Sequence, residues 1–239
     1  MLELKHISWS VSDGKGILDD VSLKVSDGKL TVITGPNGGG KTSLAKMIAG
    51  IERPDSGQVL FDGEDITDLS VTDRAKKGIA YGFQQPVRFK GITVRDMLEL
   101  AAGGKMGEGQ LCDCLSGVGL CARDYIDREI NASLSGGELK RIEIASVLVR
   151  RAPFSLFDEP EAGIDIWSFQ SLIQVLDELR KTIKGSLLII SHQERIFEIA
   201  DEIIVISGGH ITAQGPREQV LPVLRETGCP RCPKRGGTK

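Results

Sequence analysis

The chain contains no apolar run near the roughly 20 residues that a membrane helix needs. Direct membrane insertion is therefore not expected, and work at a membrane requires another chain to supply the span. The start, Met1-Leu2-Glu3-Leu4-Lys5, carries an acid and lacks the apolar stretch of a secretory signal. An excess of one charge is also missing, since 30 Lys+Arg against 33 Asp+Glu leave a net −3. Nothing in that balance points to nucleic acid as a partner. No internal repeat is found. The cysteine count, 5, is odd, and without an export signal this implies reduced thiols and a cytoplasmic location. Cys112, Cys114 and Cys121 lie together, while Cys229-Pro230-Arg231-Cys232 has metal-ligand spacing. That pair lacks the second half of a zinc site unless the other cysteines meet it, and unligated thiols are the simpler expectation.

What is present suits one large domain, or a core with a lobe: 239 residues, 40% apolar and 26% charged. The stretch that organises it is Gly35-Pro36-Asn37-Gly38-Gly39-Gly40-Lys41-Thr42, followed by Ser43. It fits the phosphate-loop pattern at every fixed position. Leu30–Thr34 before it reads as a buried strand, and Ser43–Ala49 after it as a helix closed by Gly50. Glycines let the backbone wrap a phosphate, and free N–H groups at the helix start point at the anion. Lys41 then reaches the β- and γ-phosphates, and the Thr42 hydroxyl holds Mg²⁺. The bland alternative is a glycine-rich turn with a solvated lysine, and the flanking strand and helix argue against it.

Residues 2–34 read as strands joined by tight turns, one of them at Ser12-Asp13-Gly14. Gln58–Phe61 and Gly78–Phe83 are further strands, and Asp73–Lys77 is helical. Between about residues 93 and 150 the pattern becomes helical, with Thr93 as an N-cap, a glycine-rich break at 103–109, a segment over 111–118 and a strong helix over 138–151. The last of these carries Leu139, Ile142, Ala145, Ser146 and Val149 on one face. This is a helical lobe inserted into an α/β core. The core resumes with strands at 154–157 and 186–190, a helix at 167–181, a hairpin over 203–213 and a final helix at 216–226. The domain spans 1–227; the tail, 228–239, is Cys/Pro/Gly-rich and basic, and reads as disordered.

Phe154-Ser155-Leu156-Phe157-Asp158-Glu159 is an apolar strand ending in two carboxylates. Open α/β sheets keep their ligands at that end. Asp158 suits Mg²⁺, and Glu159 suits the general base for the attacking water. An exposed acidic turn is the alternative. Leu134-Ser135-Gly136-Gly137-Glu138 is a second anion nest, a hydroxyl and two glycines at a helix start. A ligand-free N-capping box also fits Ser-x-x-Glu.

These motifs together resemble the ATP-binding-cassette (ABC) ATPases, with a P-loop NTPase core, an antiparallel β subdomain and the helical lobe. The resemblance covers nearly all of residues 2–226. It implies an Mg²⁺-dependent ATPase with ATP as its nucleotide, and an ATP-dependent head-to-tail homodimer in which Ser135 and Gly137 face the other subunit's phosphate loop. It implies that Gln84 contacts Mg²⁺ and senses the lobe, that Asp165 in Ala162-Gly163-Ile164-Asp165 crosses the dimer, and that His192 attends the γ-phosphate. By itself that histidine would pass for an ordinary strand-end residue. Many members stack adenine on an aromatic residue where this chain has Val11. Trp9, two residues earlier, reads as a core residue, so apolar packing is expected to hold the base.

Within that family the sequence is most similar to the SufC ATPase of iron–sulfur cluster assembly. The carrying stretches are Gly78–Thr93, Ser191-His192-Gln193-Glu194-Arg195-Ile196, and Val11 itself. That resemblance implies a SufB/SufD-like scaffold protein as partner, docked through Gln84–Thr93 with Phe89, Ile92 and Val94 as an apolar anchor flanked by Arg88 and Lys90, although packing inside the lobe is the simpler expectation for Val94. Pro160 after Glu159, Leu134 before Ser135 and a short lobe depart from it, the first two toward transporter subunits. The alternative is the nucleotide-binding subunit of an ABC membrane transporter. A role in DNA repair or translation is disfavoured by the single cassette and the absence of a basic face or coiled coil.

Overall fold

Two patterns of burial separate two sheets. In the computed structural model, which describes residues 1–239 except 12, 13, 86, 132, 183, 184 and 228–239, the alternating strands pair antiparallel. They are β1 (Leu2–Ser10), β2 (Gly16–Val25), β4 (Ser56–Phe61) and β5 (Glu64–Asp65), in the order β2-β1-β4-β5. Leu18, Val21, Leu23 and Val25 of β2 turn inward while their neighbours stay exposed. One side of this sheet faces solvent, as period-two sequences require. The expected turn at Ser12-Asp13 lies outside the described residues.

By contrast, β3 (Leu30–Thr34), β7 (Phe154–Asp158) and β8 (Ser186–Ile190) are buried at every position. They belong to a second sheet with β6 (Ile79–Gly82), β9 (Glu202–Ser207) and β10 (His210–Pro216), in the order β10-β9-β3-β8-β7-β6. All its pairings are parallel except the β9–β10 hairpin. Alternate residues of one strand serve opposite layers. Leu188 and Ile190 pack with the antiparallel sheet and the phosphate-loop helix, whereas Leu187 and Ile189 pack with the lobe and the later helices. The sheet order positions the candidate site. Neighbours β3, β8, β7 and β6 run parallel, so their C-terminal ends line one edge and bring together the loops that follow them.

The phosphate-loop helix α1 (Lys41–Ala49) ends at Gly50, whose φ of 80° closes it in the left-handed conformation. Short α2 (Val71–Lys76) starts on a Ser70 cap. It carries Arg74, 1% exposed, with its guanidinium inserted under α1. Arg74 donates to the carbonyls of Met47 and Ile48 at the end of α1, and to those of Thr67 and Leu69. The positive group thus sits at the negative end of the helix dipole.

The lobe comprises α3 (Val94–Ala102), α4 (Glu108–Gly117), α5 (Ala122–Tyr125) and α6 (Gly136–Val149). Thr93 and Asp96 form a reciprocal capping box that fixes the start of α3. Helix α6 is not one-faced. Lys140, Glu143 and Ile144 are buried along with Leu139, Ile142, Ala145 and Ser146, because lobe and core enclose it from different sides. The chain closes with α7 (Ile166–Thr182), α8 (Glu194–Ile199) and α9 (Arg217–Thr227). Helices α5 and α8, of 4 and 6 residues, have no counterpart in the sequence reading. The tail with Cys229 and Cys232 lies outside the described residues.

Candidate active site

The phosphate loop leaves β3 through Gly35, whose φ is 140°. A Cβ there would lie 1.8 Å from the Ile206 carbonyl oxygen of β9, so no side chain fits. Gly40, the N-cap of α1, has φ 92° and no side-chain cap, and a Cβ on it would strike Leu18 at 2.4 Å. With no side chain capping it, the helix start has N–H groups to offer an anion. Lys41 is nearly buried, and its ammonium donates to the carbonyls of Gly35 and Pro36, both at 2.9 Å. Burial lowers its pKa, while Glu159 and Asp158 work against that shift.

Across the sheet edge, β7 delivers Asp158 and Glu159. Asp158 is completely buried, and burial raises the pKa of its carboxyl. Its Oδ1 accepts from Thr42 Oγ1 at 3.3 Å and its Oδ2 from the Tyr81 hydroxyl at 3.2 Å. Thr42 and Asp158 therefore offer hard oxygen donors beside the loop, a set that fits Mg²⁺. Glu159 turns the chain with φ 44°, unusual for a side-chain-bearing residue, and this aims its carboxylate back over the cleft. Its Oε2 accepts from Gln84 Nε2 at 2.6 Å, and its Oε1 is 3.3 Å from His192 Nε2. Burial first, and then the charge of Lys41, push the His192 imidazole below its ordinary pKa, while Glu159 works against that shift. Gln84, Glu159 and His192 thus form one row beside the phosphate loop, each brought there by the end of a different strand. A cleft of about 410 Å³ is lined by Asn37–Ser43, Gln84 and Glu159, with Val11, Trp9 and Ile17 at its apolar end.

Trp9 departs from expectation. It packs against the core and also lines the cleft beside Val11. Strand β1 shifts register on both sides of Trp9, so simple alternation does not place its side chain.

Ser135 caps α6 with a reciprocal box: its hydroxyl accepts from the Glu138 N–H, and Glu138 accepts from the Ser135 N–H at 2.7 Å. The box that looked like an alternative to the nest is present, and the hydroxyl keeps its own proton to donate. Ser135 is exposed, whereas Gly137 is buried. Gly136 borders a second cleft, of about 430 Å³, with Gln84, Arg88, Leu139, Ala162 and Gly163. Asp165 is exposed just beyond it. Gly136 and the phosphate loop therefore line two different clefts of one protomer, with Gln84 bordering both.

Three sets of residues at the site had no sequence signal: Tyr81, Glu161, and the pair Lys140 and Glu143. Glu161 accepts from the Ser191 hydroxyl and from the His192 N–H, and so ties down the loop that carries His192. Lys140 and Glu143, a buried pair 2.9 Å apart on α6, capture the carbonyl and the N–H of Phe83. This fixes the backbone next to Gln84 to the helix that Ser135 begins. Among the described residues no three His, Cys, Asp or Glu side chains form a metal-binding group. Cys112 and Cys121 are exposed, while burial pushes the Cys114 thiol up to about 11.

A third hollow, of about 260 Å³, lies between β6 and the lobe, lined by Phe89, Ile92, Met97, Leu100, Ala101 and Val147. Of the three expected anchors, Phe89 is 38% exposed, Ile92 half-buried and Val94 fully buried in the lobe core. Among the described residues no helix is long and apolar enough to cross a membrane.

Known proteins resemble this chain over most of its length. Residues 18–162 match the sequence model of the family described as ABC transporter. An uncharacterised ABC transporter ATP-binding protein of Methanocaldococcus jannaschii is 38% identical, over 92% of this chain and 90% of that protein. The lipopolysaccharide export system ATP-binding protein LptB of Escherichia coli K12 is 32% identical, over 87% and 88% respectively. Among solved structures, an ATP-binding cassette of an ABC transporter in its ADP conformation superposes with a TM-score of 0.81 at 28% identity, over 95% of this chain and 96% of that one.

Proposed function

The chain belongs to the ABC transporter family of ATPases, with ATP and Mg²⁺ as its cofactors, and on that premise we propose that it is a motor subunit whose ATP-driven pairing moves a partner protein. The observation that carries this reading is the row Gln84–Glu159–His192 beside the phosphate loop. Glu159 takes the proton of the attacking water, and His192 and Gln84 orient its carboxylate. Lys41 and the helix-start N–H groups hold the phosphates. Thr42 and Asp158 hold Mg²⁺, which neutralises charge on the phosphate oxygens when bound. Ser135 is exposed and does not line the cleft at its own phosphate loop, so it completes the site of a second copy, head to tail.

The partner docks in the hollow between core and lobe. Phe89 and Leu100, the latter 72% exposed, offer the apolar contact there. Gln84 links that side to Glu159, so closure at the nucleotide reaches the partner through one short segment. The relatives' names favour a transporter's membrane component, which makes the nucleotide-binding subunit of an ABC membrane transporter the first reading. The cargo named for LptB is that protein's own. A second reading, a SufB/SufD-like scaffold of iron–sulfur cluster assembly, is favoured by the residues of Gly78–Thr93 and Ser191–Ile196 and by Val11.

A pull-down from the native host decides between them. Recovery of a membrane permease supports the first reading, and recovery of a scaffold without membrane spans supports the second. In either case Phe89→Ala is expected to weaken partner binding by about tenfold, the usual cost of truncating an aromatic anchor. Hydrolysis by the isolated subunit should not change. Unaltered partner affinity in Phe89→Ala would place the docking surface elsewhere.

A further inference from the structure

The position of Tyr81 in β6 has no polar requirement of its own. The strand reads Ile-Ala-Tyr-Gly, and the ring packs edge-on against Phe83, with centroids 4.7 Å apart and planes at 64°. Phenylalanine would satisfy that packing. What tyrosine adds is a hydroxyl, and it lands on Asp158 Oδ2 at 3.2 Å. Asp158 is completely buried, so solvent does not satisfy this oxygen. The other carboxylate oxygen, Oδ1, is the one that faces Thr42. Two hydroxyls therefore hold one carboxylate from opposite sides. If the Oδ2 contact is lost, the carboxylate is free to rotate about its last torsion, which is a soft one.

We propose that Tyr81 is a positioning residue for the Mg²⁺ site: its hydroxyl pins Asp158 Oδ2 so that Oδ1 is presented beside Thr42. Tyr81 itself does not touch metal or nucleotide. Its contribution is to remove the reorientation that Asp158 would otherwise undergo when the metal binds. Preorganisation of this kind shows as metal affinity, and it leaves the metal-free affinity for nucleotide unchanged.

The test measures equilibrium binding of Mn²⁺, as a spectroscopic substitute for Mg²⁺, by electron paramagnetic resonance in the presence of the non-hydrolysable analogue AMP-PNP. Tyr81→Phe keeps the ring and removes the hydroxyl, and Tyr81→Leu removes both. The half-saturating Mn²⁺ concentration is expected to rise by about 10-fold in Tyr81→Phe, the lower end of what losing an outer-shell hydrogen bond costs. Tyr81→Leu should raise it no further, and AMP-PNP binding in EDTA should be the same in all three proteins. An unchanged half-saturation in Tyr81→Phe would overturn the proposal. So would a rise confined to Tyr81→Leu, which would assign the effect to ring packing, or an equal loss of nucleotide binding with and without metal.

Discussion

Glu159→Gln protein is expected to hydrolyse ATP about 10²–10⁴-fold more slowly than the parent, the usual contribution of a positioned general base, and still to bind ATP. The substitution keeps the shape of the side chain and removes its ability to take a proton. An amide at this position can still accept from Gln84 through its oxygen, so the row at the sheet edge keeps its geometry. Glu159 does not contact the phosphate-holding N–H groups of α1, and its loss leaves them in place. Lys41→Ala makes the opposite split. It removes a charge from the proposed phosphate cradle and is expected to lower binding as well as rate. Steady-state hydrolysis and equilibrium binding, measured on both variants, check the assignment. Near-parental turnover in Glu159→Gln would remove Glu159 from the role of base.

The second large effect is on stability. Arg74→Met is expected to destabilise the protein by about 3 kcal/mol, because it strips several carbonyls of their buried donor. In a chain of this size that lowers the melting temperature by about 6–12 °C. The guanidinium is 1% exposed, and among the described residues it forms no ion pair with a carboxylate. Its charge is instead received by the carbonyl end of α1 and by two carbonyls of the segment leading into α2. Burial accordingly lowers its pKa. Arg74→Lys should recover only part of the loss. A single ammonium lacks the planar fork that spans both segments. Thermal unfolding followed by circular dichroism gives the comparison, and a melting temperature within 2 °C of the parent, well under that expected fall, would refute the buried-cap role.

Arg74 also shows where reading the sequence stops. The stretch Asp73–Lys77 reads as helical, and nothing local says that its arginine is buried, because the reason for burying it is the end of another helix 26 residues earlier. The same holds for Lys140 and Glu143. Their neighbours have helical periodicity, and nothing local says that the ion pair grips the backbone of Phe83. Tyr81 reads as one more apolar strand residue until Asp158 is placed beside it. By contrast, Gly35–Thr42 was readable because its function is a backbone conformation, and glycine spacing records that directly. The strands at 30–34 and 186–190 were readable for a similar reason, since burial on both faces leaves an unbroken apolar run. Trp9 lay between these cases. Its spacing put it on the face of Val11 while a core position was the simpler expectation, and in the structure it both packs against the core and lines the cleft.

One copy of this chain is expected to carry two half-sites, which become whole sites only when two copies meet. Sedimentation of Glu159→Gln protein tests it most directly, since that variant is expected to hold ATP without consuming it. A monomer is expected without nucleotide, a dimer with saturating Mg-ATP, and a return to monomer when Ser135→Arg is added. A species that stays monomeric in saturating Mg-ATP, or a dimer indifferent to Ser135→Arg, would contradict it.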